Sequence, residues 1–119
     1  MPIIEATKAS DIDLVRRLVG QKVDVDAVDT FGRTALHYAA ALGQDAGVSV
    51  LLTRSNSINA RDEEGFTPLM RAAQNGHANA AKLLVAAGAD GALRNNAGQS
   101  AYELAIANGH PDVGKLVGE

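Results

Sequence analysis

Apolar residues in this chain fall in short clusters at helical spacing, broken by glycines and by polar, aspartate-containing turns. Ile12, Leu14, Val15, Leu18 and Val19 recur three and four apart with Arg16 and Arg17 between them, which predicts a helix over 12–20 closed by Gly20. Before it, Pro2 suits a first helical position, and a short helix over 2–9 is expected. Ser10 and Asp11 offer capping oxygens for the helix that follows. Thr34 caps a helix over 35–42, and a second runs over 45–53 through Val48, Val50, Leu51 and Leu52. Thr67-Pro68 starts a helix over 68–75, and Ala80, Ala81, Leu83, Leu84 and Val85 mark another over 78–87, stopped by Gly88. Ser100, Tyr102, Ala105 and Ile106 begin a last pair, whose second helix starts at Pro111 and covers 111–117.

This pattern repeats. Gly32, Gly65 and Gly98 are 33 residues apart, and the same step relates Asp29, Asp62 and Asn95, then Thr34, Thr67 and Ser100, then Ala39, Ala72 and Ala105, then Gly43, Gly76 and Gly109. A fixed period of this length means a stack of like units rather than one globule with a central core. The units divide at 1–28, 29–61, 62–94 and 95–119, the first truncated at its start and the last lacking a return loop. The helices are rich in alanine, as at Ala39-Ala40-Ala41, which lets neighbours approach closely.

Gly65-Phe66-Thr67-Pro68-Leu69, Thr34-Ala35-Leu36-His37-Tyr38-Ala39-Ala40 and Gly88-Ala89-Asp90 resemble the ankyrin repeat, and the resemblance covers essentially the whole chain. It implies an all-α ankyrin-repeat solenoid: antiparallel helix pairs joined by β-hairpin-like loops, stacked so that loop tips and inner helices line a concave, protein-binding face. The chain departs from the pattern in places. The histidine at position 37 becomes Met70 and Glu103 in later units, and Ser55-Asn56-Ser57 stands where the third unit has Gly88-Ala89-Asp90. Gly47 lies inside an outer helix at a core-facing register, where glycine costs about 1 kcal/mol relative to alanine, so that helix is expected to be softer than the one over 78–87. Val113, Leu116 and Val117 are expected to be poorly covered at the end of the stack.

Composition narrows the function. The 119 residues carry a net charge of −3 and no cysteine. Disulfides and thiolate catalysis are excluded, and the charge offers no case for nucleic acid. No apolar run approaches the roughly 20 residues of a membrane span, and no signal peptide is visible, so a cytoplasmic protein, or a nuclear one in a eukaryote, is expected. His77 and His110 follow equivalent glycines and are read as helping to start outer helices. Nothing near them supplies the three or four converging ligands a metal needs. Ser49, His37 and the aspartates make no nucleophile set, and the glycines fall at repeat turns rather than in a phosphate loop. No catalytic residue, cofactor or metal is assigned.

The informative positions are those the repeat does not use. By the resemblance, the partner-binding residues are Phe31, Arg33, Tyr38 and Leu42 in the second unit, Glu63, Glu64, Phe66, Arg71, Gln74 and Asn75 in the third, and Arg61 and Arg94 at equivalent loop positions. Phe31, Tyr38 and Phe66, three of the four aromatics, are placed on this surface, and tyrosine and arginine are enriched at interface hot spots. Arg33, Arg61, Arg71 and Arg94 would form a basic belt interrupted by Glu63 and Glu64, suiting a partner with an acidic segment beside an apolar one. Asn59 resembles the ankyrin asparagine hydroxylated by an oxygen-dependent dioxygenase in animals. The expected function is non-enzymatic: a monomeric scaffold or adaptor that binds one partner protein. Two alternatives stay open, a dedicated inhibitor or immunity-type protein that blocks an enzyme, and the ankyrin module of a larger protein.

Overall fold

A computed structural model describes residues 2–118; the outermost residues of the first and last expected units, Met1 and Glu119, lie outside it. Eight helices occupy the described residues: α1 (Pro2–Lys8), α2 (Ile12–Val19), α3 (Ala35–Leu42), α4 (Asp45–Leu52), α5 (Pro68–Asn75), α6 (Ala78–Ala86), α7 (Ala101–Ala107) and α8 (Pro111–Val117). Each odd-numbered helix packs on the even-numbered one that follows it. The odd helices also pack on each other in sequence order, and so do the even ones, giving two parallel rows. The assembly measures 38 × 25 × 23 Å, the elongated outline of a stack.

The inner helices α3, α5 and α7 start alike because a hydroxyl precedes each of them. Thr34, Thr67 and Ser100 have extended backbones and accept hydrogen bonds from the N–H three residues on, at His37, Met70 and Glu103. The residue three places on decides whether the bond is returned. His37 and Glu103 accept from the cap's own N–H, so a carboxylate replaces an imidazole in the last unit, whereas Met70 has no group to do so. Small residues then fill the shared interface: Ala35, Ala39, Ala40, Ala72, Ala73, Ala80, Ala81, Ala101 and Ala105 are buried between Leu36, Leu51, Leu69 and Leu84. Burial at such sites stabilises by about 25 cal/mol per Å² of apolar surface, and close backbone approach makes it dense.

Three expectations are corrected. Val113 and Val117 are buried and Leu116 is partly so, because α8 packs on both α6 and α7; the large apolar side chain exposed in that last pair is Ile106. Ser10 does not cap α2. Asp11 does, accepting from Leu14 N–H, while Ser10 takes the left-handed conformation (φ 57°) that glycines hold at the equivalent positions 43, 76 and 109. His77 and His110 are the N-cap residues of α6 and α8, their carbonyls accepting from Ala81 and Gly114 N–H, but their side chains make no capping bond. They reach back one unit instead: His77 Nε2 lies 3.0 Å from the Ala41 carbonyl oxygen, with its ring against Gly43, and the His110 ring lies against Gly76. Gln44, one period earlier, behaves in the same way, donating from Nε2 to Thr7 O at 2.7 Å and Ser10 Oγ at 2.8 Å. Orphan carbonyls at the ends of inner helices are thus satisfied by the next unit.

Candidate functional site

The turns that precede the inner helices are built around one side chain each. Asp29 Oδ1 accepts from Phe31 and Arg33 N–H, Asp62 Oδ1 from Glu64 and Phe66 N–H, and Asn95 Oδ1 from Ala97 and Gln99 N–H, all at 2.9–3.0 Å. Single backbone bonds join tip to tip, Glu63 N–H to Phe31 O and Asn96 N–H to Glu64 O, each 3.0 Å. No strand is present among the described residues, so the hairpin-like loops are turns in register rather than a sheet.

The second carboxylate oxygen remains free in the two aspartate turns, and it reaches the residue nine places on. Tyr38 OH donates to Asp29 Oδ2. Arg71 Nη2 donates to Asp62 Oδ2 at 2.5 Å, and Arg33 Nε from the preceding unit joins the same oxygen at 3.4 Å. Burial would raise the Asp62 carboxyl, but the Arg71 contact and the Phe66 N–H outweigh it and hold the group below its ordinary value. Asp29 follows the same balance: desolvation pushes it up, and the Tyr38 hydroxyl with two turn N–H groups brings it below. The effect on Tyr38 is opposite, its phenol being raised by burial and by the ionised Asp29 beside it.

Glu64 completes the cluster from outside. Its Oε1 lies 3.2 Å from both Arg33 Nη2 and Arg71 Nη2, while 63% of the side chain stays exposed against 1% for Asp62. Arg71 also stacks 3.8 Å above the Phe66 ring centroid, and Arg33 lies 5.1 Å from that of Phe31. Between α3 and α5 the cluster opens into a cleft of about 120 Å³ lined by Arg33, His37, Tyr38, Ala41, Arg71, Gln74 and Asn75. His37 forms its floor, buried. Nδ1 accepts from Thr34 N–H and Nε2 donates to Phe66 O at 2.8 Å, so burial lowers its pKa against smaller opposing contributions from Phe66 O and Asp62.

The expected surface is therefore only partly assembled. Arg33, Tyr38, Arg71, Gln74 and Asn75 share the cleft, with Glu64 at its rim. Phe31 (54% exposed) and Leu42 (51%) lie at the two ends of the same unit, one before α3 and one closing it. Phe66 is a correction: it is 7% exposed and belongs to the core, because its backbone is bound at both ends by Asp62 and His37 and Arg71 covers its ring. The basic belt is a second correction. Arg33 and Arg71 are engaged by Asp62 and Glu64, and Arg94 is bound to Gly98 O and Glu103. Arg61, Glu63 and Arg94 are exposed and lie outside the α3–α5 cleft; Glu63 and Glu64 line a second depression along the turn tips, with Asn96 and Gln99.

Asp29, Asp62 and His37 were missed as site residues. A signal was present: where the turn carries an aspartate, the residue nine places on is Tyr38 or Arg71, and where it carries Asn95 that residue is Leu104, buried. Asn59 is exposed, with Oδ1 accepting Asp90 N–H at 2.8 Å. Among the described residues no group of three His, Asp or Glu side chains converges as metal ligands would, and no helix is long and apolar enough to cross a membrane.

Comparison with known proteins matches the repeats directly. The family described as ankyrin repeats, in three copies, covers residues 3–95 and again 56–118. This chain belongs to the ankyrin repeat family. A 54-residue stretch is 41% identical to Neurogenic locus notch homolog protein 1 of Xenopus laevis, and the same stretch length gives 41% with that of Xenopus tropicalis. A 58-residue stretch is 40% identical to an L-asparaginase of Dirofilaria immitis. These matches take 45%, 45% and 49% of this chain but only 2%, 2% and 10% of the relatives, so the chain spans a small part of the relatives it matches. Ankyrin repeats are generally protein–protein interaction modules.

Proposed function

We propose that this ankyrin stack is a non-enzymatic module, acting as a monomer in the cytoplasm or nucleus, that binds a partner protein through the face made by its turn tips and inner helices. One observation carries the reading: two large apolar side chains, Phe31 before α3 and Leu42 at its end, are exposed on the unit whose polar cleft against α5 has walls already held in place. Tyr38 is held by Asp29, and Arg33 and Arg71 by Asp62. A surface fixed before binding loses little freedom on association, and so converts contact into affinity efficiently. Two or three units offer enough width for a standard interface of about 800 Å² per partner.

Affinity capture from extract of the source cell tests the reading. The bait is the native chain beside a folded Phe31→Ser, Leu42→Gln variant and a Val85→Ser control on the opposite row, Val85 being exposed on α6. The expected result is a partner retained by the native chain and the control and lost by the double variant. Equal capture by all three would move the site to the outer helices. If the captured protein is an enzyme, its activity in the complex separates a scaffold from an inhibitor.

A further inference from the structure

The Arg33–Arg71 pair has a geometry that its internal partners do not exhaust. Two guanidinium groups from successive units converge on Asp62, which is buried, accepts two turn N–H groups and cannot leave. One carboxylate balances one positive charge. The Asp29 carboxylate acts on Arg33 without a direct ion pair, and the one group bridging the two guanidinium groups from the solvent side is Glu64, whose single oxygen spans both Nη2 atoms at 3.2 Å while most of its side chain remains in water. An exposed ion pair of this kind contributes little and exchanges readily with solvent. Arg71 Nε is buried without a hydrogen-bond partner, and the Gln74 amide beside it lines the same cleft.

We propose that Glu64 occupies the place of a partner's carboxylate, and that the α3–α5 cleft docks an acidic side chain of a bound peptide segment between Arg33 and Arg71. This rests on the reading of the inner-helix face as the binding surface and names the chemistry it selects. The incoming carboxylate replaces Glu64 across the two Nη2 atoms. Closing the interface removes water from the pair, and the same contact strengthens as the local dielectric falls. Phe31, exposed with Arg33 against its ring and facing the depression beside α1, supplies an apolar platform next to the arginine for a neighbouring side chain. The segment recognised is therefore an aspartate or glutamate beside an apolar residue, and not a basic or a nucleic-acid ligand. Glu64 acts as an internal competitor that keeps the arginines oriented and discourages ligands unable to displace it.

Selection of a random dodecapeptide display library on the immobilised native chain, followed by titration of the winning synthetic peptide, tests this. The proposal predicts that an acidic residue is enriched at one position. It predicts that Arg33→Gln, which leaves Asp62 paired with Arg71, weakens the peptide by at least about tenfold, and that Glu64→Gln tightens it. The Arg71 Nε–H resonance should shift on binding to the native chain. Circular dichroism establishes that both variants are folded. Selected peptides without an acidic position, or binding indifferent to Arg33→Gln, would overturn the proposal, as would a selection that enriches nothing. If a non-acidic peptide is selected and is lost with Phe31→Ser, Leu42→Gln, the carboxylate site fails while the face itself stands. If the peptide ignores both sets of variants, both readings fail.

Discussion

His77 fills the space that a side chain at Gly43 would need: a methyl group there would lie 2.5 Å from His77 Nδ1. Gly43 closes α3 in the left-handed conformation (φ 69°), and the imidazole of the next unit lies against it and reaches Ala41 O. Gly43→Ala therefore combines backbone strain with displacement of an inter-unit clip. Urea denaturation should show a loss of about 2–4 kcal/mol. Gly98→Ala has the same backbone sign (φ 80°) but open space around it, and should lose only about 1–2 kcal/mol. Equal losses would show that the His77 contact contributes nothing.

Asp62 makes the two arginines unequal. Arg71 holds it at 2.5 Å and covers Phe66, whereas Arg33 is twice as exposed and lies at 3.4 Å. Arg71→Ala leaves a buried carboxylate short of its main partner and should cost about 2–4 kcal/mol. Arg33→Ala should cost no more than about 1 kcal/mol. Equilibrium unfolding of the two variants checks the order, and a larger loss for Arg33→Ala would contradict it.

His37 predicts a pH dependence. Burial lowers its folded-state pKa from the ordinary 6.5, and both ring nitrogens are engaged in a way that suits only the neutral ring. The unfolded chain thus binds a proton at this site before the folded one does. Its contribution is fully present above about 6.5 and declines as pH falls below it. Asp62 and Asp29, both lowered, act in a separate window: their stabilisation is present above the ordinary 3.8 and is lost as pH falls through their folded values. Unfolding free energies measured between pH 7 and 5 should fall for the native chain and flatten for His37→Gln.

Gly47 predicts uneven mobility. It is buried inside α4, and Gln44 packs over it to reach the first unit, so the position is kept open at a cost of about 1 kcal/mol in helix propensity. Amides of α4 should exchange faster than those of α6, which has no interior glycine. Equal protection of the two helices would show that the Gln44 tie fully offsets the glycine.

The parts of this structure that repeat were legible in the sequence. The 33-residue step, the hydroxyl caps and the glycine stops place the helices to within a residue at either end, as at Ala35–Leu42 and Pro68–Asn75. What could not be read were contacts between units, because they depend on how closely two turns approach and not on the period. Phe66 shows this: it sits at the register of Arg33 and Gln99, neither of them buried, and only the His37 bond to its carbonyl and the Arg71 stack enclose it. Position in the sequence puts His77 and His110 at the starts of their own helices and does not show their side chains turning backwards. Two arginines of the expected belt, Arg33 and Arg71, are paired by Asp62, whose first oxygen is visible in the sequence as a turn former and whose second is not.

Hydrogen–deuterium exchange of the chain with its captured partner bound tests the central claim most directly. The account predicts added protection in the turns around Asp29–Arg33 and Asp62–Phe66 and along α3 and α5, with α4 and α6 unchanged. Protection confined to α4 and α6 would contradict it and place the partner on the opposite row.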